Sequence, residues 1–133
     1  MSMSVAELTQ CLHYQIAALD GMAKVQGLTL SYVKPHGALY NDMMRNEKVL
    51  RAILGALSQS TGKLALMAMT TANNGPLKAL CAEYGVKLLL EAFADRAYDE
   101  NGYIVSRNIA GAVHQDSDTI LNQAVAIARG RAI

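Results

Sequence analysis

Polar side chains able to do chemistry gather in three stretches of this chain. Lys34, His36, Tyr40 and Asn41 form the first, Thr70, Thr71, Asn73 and Asn74 the second, and Glu91, Asp95, Arg96 and Arg107 the third. Histidine exchanges a proton near neutral pH, so His36, held between Pro35 and Gly37, is either a ligand-facing acid–base group or a loop histidine bonded to backbone. Lys34 can hold an oxyanion or a carboxylate, or stand in solvent. Tyr40 is either a donor to a ligand or a core ring with its hydroxyl satisfied. Glu91 lies in the apolar run KLLLEAF, where a carboxylate must be paired, protonated or set at a cleft. Asp95 and Arg96 either pair with each other or flank a site, and Arg107 suits a bidentate grip on a carboxylate.

His13, beside Leu12, reads as a boundary residue, and His114 is a lesser candidate. Cys11 and Cys81 have no ligand-like spacing to each other or to histidine, so neither a metal site nor a disulfide is expected. The chain contains no HExxH, CxxC, Gly-rich phosphate loop or GxSxG. Generic motifs therefore leave the chemistry to be decided by where these three stretches fall in the fold.

The elements that would carry them can be read in order. Ser4 followed by Glu7 has capping-box spacing, and Leu8, Leu12, Ile16 and Leu19 then mark one face of a helix that Gly27 ends. Residues 28–33 are short and rich in strand formers, and Pro35 stops them. The HGALYND stretch reads as irregular. Asn46 then caps a helix whose Val49, Leu50, Ile53, Leu54 and Leu57 share a face, closed by Thr61 and Gly62. Residues 64–69 are apolar without alternation, the mark of a strand covered on both faces, as in parallel sheets. A loop over residues 70–76 leads into a helix with Pro76 in its first turn and Gly85 at its end. Residues 87–93 repeat the buried-strand pattern. A polar loop over residues 94–115 follows, with a short strand near 103–105, before Asp116 or Ser117 caps a last helix.

Strands alternating with helices point to an α/β fold with a parallel sheet and flanking helices. Ligands of such folds gather at the carboxyl ends of the strands, and the three polar stretches follow the three strands. Three strands make a small sheet, so its neighbours are expected from another copy or the sheet is unusually small. The composition, 52% hydrophobic and 17% charged, fits a single globular domain over residues 1–133. With 12 basic and 11 acidic residues there is no field to favour nucleic acid or an anionic membrane as partner. No leader-like segment opens the chain and no run is long enough to span a bilayer, so a cytoplasmic protein is expected.

Two longer motifs carry a resemblance. VKPHGALYN, residues 33–41, and EAFADRAYDENGYIVSRNIAGAV, residues 91–113, resemble the two signatures of the LamB/YcsF family, which supplies the A subunit of the prokaryotic 5-oxoprolinase, and YQIAAL at 14–19 agrees with it. The resemblance covers the whole chain, whereas the family has further strands and histidine-bearing loops upstream and downstream, so the chain is expected to be its central part, truncated at both ends. The resemblance implies a partial (β/α) barrel of the polysaccharide-deacetylase-like type. It also implies ATP-dependent opening of 5-oxoproline, or another small lactam, to L-glutamate, with ATP used through partner subunits B and C and no metal predicted. His36, Glu91 and Asp95 inherit the catalytic expectation. Lys34, Tyr40, Asn41, Arg96 and Arg107 inherit substrate binding. Ser106, residues 108–110 and His114 depart from the second signature. A truncated barrel exposes strand edges and an apolar face, which predicts a homo-oligomer. Such a chain is expected to be inactive alone, and the alternative is a non-catalytic oligomeric binding or scaffold protein of the same family.

Overall fold

The computed structural model describes residues 3–130. The chain runs as α1 (Val5–Val25), β1 (Tyr32–Val33), α2 (Gly37–Arg45), α3 (Glu47–Ser58), β2 (Ala65–Met69), α4 (Gly75–Glu83), β3 (Leu88–Glu91) and α5 (Ser117–Ala128). Three of the helix starts are those the sequence marks. The Ser4 hydroxyl accepts from the Glu7 amide while the Glu7 carboxylate accepts from the Ser4 amide at 2.8 Å, so α1 opens on a complete capping box. Asn46 Oδ1 accepts from the Lys48 amide at the start of α3, and Asp116 accepts from the Thr119 amide at the start of α5. At the far end of α1, the amides of Gly27 and Leu28 bond back to Lys24 and Ala23, which satisfies carbonyls the helix cannot.

Two readings change. HGALYND, expected to be irregular, enters α2, whose Tyr40 and Met43 lie three positions apart and are both buried. The strand expected over residues 28–33 shortens to Tyr32–Val33, which pair in register with Ala65 and Leu66 of β2, while Ser31 contributes only its carbonyl, accepting from the Ala65 amide at 3.0 Å. The sheet has the order β1-β2-β3. Tyr32 and Val33 pair with β2 in parallel. Between β2 and β3, the amides of Leu66 and Thr70 reach the carbonyls of Lys87 and Glu91, stepping the same way along both strands as parallel pairing requires. The short strand expected near 103–105 is a single antiparallel bridge, Tyr98 to Ile104, beside a second one from Arg96 to Val113.

The chain divides into two compact units. The first holds everything up to Ala68 together with Pro76–Leu89, and the second holds Met69–Gly75 together with the chain from Leu90 onward. In the first unit α3 packs against both α1 and α2. Its core is built from Leu8, Leu12 and Ile16 of α1, Ile53, Leu54 and Leu57 of α3, and Leu66 and Ala68 of β2. Ile53, Leu54 and Leu66 are wholly enclosed. Arg51 ties the outer surface of this unit, bonding Glu47 and Glu83 at 2.8 Å each. In the second unit α5 carries no fully buried residue and is attached through polar contacts described below.

Candidate functional site

The first polar stretch lies in the first unit, on the segment that turns from β1 into α2. Lys34 and His36 line a groove of about 700 Å³ whose other walls include the apolar side chains of Leu12, Ile16 and Tyr32 and the polar ones of Gln15 and Thr29. The Lys34 ammonium sits 5.9 Å from the centre of the Tyr40 ring, within range of cation–π attraction. His36 is the N-cap residue of α2 in extended conformation, and its side chain makes no capping hydrogen bond. The imidazole is exposed. Tyr40 is buried and Asn41 is exposed on α2.

The second and third stretches lie together in the second unit. Leaving β2, the chain is fixed by Asn74: its carboxamide oxygen accepts from the Thr71 amide at 2.9 Å, and its nitrogen donates to the Thr70 hydroxyl at 2.9 Å and the Thr71 carbonyl at 3.0 Å. Asn73 Oδ1 accepts from the Gly75 amide at 3.0 Å, an Asx turn that leads into α4. Leaving β3, the chain turns back so that the Asn101 carbonyl accepts from the Ala72 amide at 3.2 Å. Asp99 shapes that return, accepting from the amides of Asn101 and Tyr103 at 2.9 Å each. Between these loops is a cavity of about 640 Å³, walled by Thr70, Thr71, Glu91, Tyr98, Asp99 and Glu100 with Leu90 and Ile127 as apolar surface. Glu91 is thus the last residue of β3 and part of a cleft wall.

Arg96 occupies a different position. It is 7% exposed, and its guanidinium donates to the carbonyls of Val105 at 2.6 Å and Ala112 at 3.2 Å, so its charge braces the 94–115 segment from within. Asp95 is exposed, and its carbonyl accepts from the His114 amide. Arg107 is exposed in a turn. The structure therefore brings Glu91 together with Thr70 and Thr71, groups Lys34 with His36 and Tyr40, and leaves Asn41, Asp95 and Arg107 at the surface. Residue-by-residue reading missed Tyr98 and Gln123. Tyr98 Oη accepts from the Phe93 amide at 2.6 Å, and Gln123 Nε2 donates to the carbonyls of Phe93 at 2.8 Å and Arg96 at 2.7 Å. A tyrosine within the second signature was a signal for the former. Gln123, in an amphipathic helix far along the chain, offered none.

Among the described residues no group of three or more His, Cys, Asp or Glu is placed to hold a metal ion. No helix among them is long and apolar enough to cross a membrane.

A parallel sheet with helical connections, and a cavity lined by Thr70, Thr71 and Glu91 where β2 and β3 end, define an α/β protein, a class in which ligands gather at strand ends. The profile of the LamB/YcsF family matches residues 1–133, and the chain belongs to that family. It is 54% identical over 130 residues to a 5-oxoprolinase A subunit of Pseudomonas fluorescens, covering 98% of this chain and 52% of that protein. Against a 5-oxoprolinase A subunit of Pseudomonas putida the identity is 50% over 133 residues, again 52% of the relative. The crystal structure of a lactam utilization protein from Thermus thermophilus superposes with a TM-score of 0.82 at 32% identity, covering 96% of this chain and 50% of that one. The chain spans about half the length of these relatives.

Proposed function

We propose that this chain does the work of the corresponding part of a 5-oxoprolinase A subunit: ATP-dependent hydrolytic opening of 5-oxoproline to L-glutamate, in the cytoplasm, with subunits B and C. The observation that carries this reading is the identity of 54% over 98% of the chain with a protein of that name. The name "lactam utilization protein" of the Thermus structure supports the same substrate class. The parallel sheet and its helical connections support placing the chain as the central part of a (β/α) barrel of the polysaccharide-deacetylase-like type.

In this reading Glu91 moves the proton that lactam opening requires, beside the hydroxyls of Thr70 and Thr71. His36 is the alternative proton carrier on the first unit, with Lys34 and Tyr40 beside it. Arg107 and Asn41, both exposed, serve the substrate carboxylate and its hydrogen bonds, and Asp95 supports the turn after β3. Arg96 serves the substrate indirectly, by shaping the loop. The described lining of the second unit's cavity does not fit ATP. Glu91, Asp99 and Glu100 line it, and among the described residues no Lys, Arg or His does, so a triphosphate finds no countercharge among them. Nucleotide use falls to the partner subunits.

Apolar side chains stand out on α1 of the first unit: Tyr14 is 75% exposed and Val25 82%, with Met22 between them on the same face. They favour a homo-oligomer, and also a second reading, a non-catalytic oligomeric binding module of the same family. Glutamate release from 5-oxoproline, with ATP and subunits B and C, tests the two readings against each other. Release by this chain and its loss in His36→Ala or Glu91→Gln supports the enzyme reading. Self-association without release by any of them overturns it.

A further inference from the structure

Tyr98, in the wall of the second unit's cavity, carries a polar group that the chemistry above leaves unused, its hydroxyl. Its oxygen accepts from the Phe93 amide at 2.6 Å, and among the described residues the hydroxyl makes no other hydrogen bond. A phenol has one proton to give as well as lone pairs to receive with. The amide takes a lone pair, so the proton is left for something else. Tyr98 is half-buried and belongs to the cavity wall.

Its surroundings show an oriented group. The Tyr98 backbone is bridged to Ile104, and two residues before it Arg96 is anchored by Val105 and Ala112. Gln123 grips the carbonyls of Phe93 and Arg96, so the residue that supplies the amide to Tyr98 is itself held on its carbonyl side. Burial pushes the phenol above its ordinary value, the Phe93 amide drawing it partly back, so the hydroxyl keeps its proton at neutral pH. The amide that donates to the oxygen also polarises the O–H bond and makes it a better donor. The neighbouring Thr71 hydroxyl is already committed to Asn74. A fixed donor on a cavity-wall residue, with a lone pair already engaged by an amide, suits an acceptor oxygen such as an amide carbonyl, on which negative charge grows when the amide is attacked.

We propose that Tyr98 is a ligand-contacting residue of this cavity, donating its O–H to the carbonyl oxygen of a small cyclic amide. This rests on the lactam reading of the same cavity. The test uses the 133-residue chain carrying tyrosine labelled at Cζ, titrated with 5-oxoproline and, separately, with L-proline, which keeps the ring and the carboxylate and lacks the lactam carbonyl. The expected result is that 5-oxoproline shifts the amide resonances of Thr71 and Gly102, moves the Tyr98 Cζ resonance and raises the pH at which Tyr98 ionises, whereas proline leaves Cζ in place. In Tyr98→Phe, binding of 5-oxoproline weakens about tenfold, the loss of one hydrogen bond of about 1.4 kcal/mol. If the cavity amides shift while Tyr98 Cζ does not, and Tyr98→Phe binds within about twofold of the parent, the inference is overturned and the lactam reading stands. If 5-oxoproline shifts no cavity amide, both fall. The Cζ measurement on the unsubstituted chain decides the matter even if Tyr98→Phe does not fold.

Discussion

Replacing Gly102 by alanine should damage the second unit more than the same replacement at Gly111, although the two glycines have nearly the same backbone. Gly102 has φ +76° and Gly111 φ +79°, so an alanine at either accepts left-handed strain of about 1–2 kcal/mol. At Gly111 a Cβ would meet nothing within 4 Å. At Gly102 it would press into the backbone of the loop after β2, overlapping the Ala72 nitrogen and lying 3.0 Å from the Thr71 carbonyl carbon and 3.1 Å from its Cα. No side chain can swing aside there, so the turn must lift, and with it goes the bond from the Ala72 amide to the Asn101 carbonyl, worth about 0.5–1.5 kcal/mol. Gly102→Ala should therefore cost about 1.5–3.5 kcal/mol against about 1–2 for Gly111→Ala. Urea unfolding followed by circular dichroism measures both. A lower midpoint at unchanged slope is the expected signature of Gly102→Ala. Equal midpoints for the two variants would refute the claim that the 99–103 turn is seated on the Thr71–Ala72 backbone.

Three further outcomes follow from the same structure. Ile53→Ala, at a position with no exposure, should destabilise by about 2–5 kcal/mol, as read by the same urea titration. Gln123→Met keeps most of the side-chain volume but removes the donors to Phe93 and Arg96, and should cost about 1–3 kcal/mol with faster amide exchange in the turn after β3. The Thr119 amide, then its hydroxyl, holds the Asp116 carboxyl below its ordinary value of 3.8, so the cap contributes above that value and is lost as the pH falls through the lower folded one. The Cα shifts of α5 should accordingly drift toward coil as the pH is taken below 3.8, and Asp116→Asn should flatten the drift.

What could be read beforehand was local. Ser4 with Glu7, Asn46 and Asp116 each announce a helix through a bond to an amide two or three residues away, and all three helices begin there. The apolar run ending at Met69 needed only its lack of alternation to be recognised as a covered strand. The α2 helix was hidden because its buried face is just Tyr40 and Met43, too short a pattern to separate from a loop until α3 is there to receive it. β1 was overread because residues 28–30 find no ladder, and pairing rather than propensity decides a strand. The 94–115 segment was opaque for a further reason: Arg96 bonds residues 9 and 16 positions away and Gln123 reaches back 27 and 30, distances at which no local pattern exists. Glu91 stood out because a carboxylate in an apolar run is a local contradiction, and it lies in the wall of a cavity; Tyr98 and Gln123 contradict nothing nearby.

The polar attachment of α5 has a thermodynamic consequence. Heat capacity on unfolding comes chiefly from apolar surface meeting water, and α5 has no fully buried residue to expose, while the contacts that fasten Gln123 are directional and enthalpic. Release of this helix would add little curvature to the stability profile with temperature. In a calorimeter it would precede the main transition as a shallow slope of the native baseline, with the cold-sensitive part of the protein's stability residing in the Ile53, Leu54 and Leu66 core.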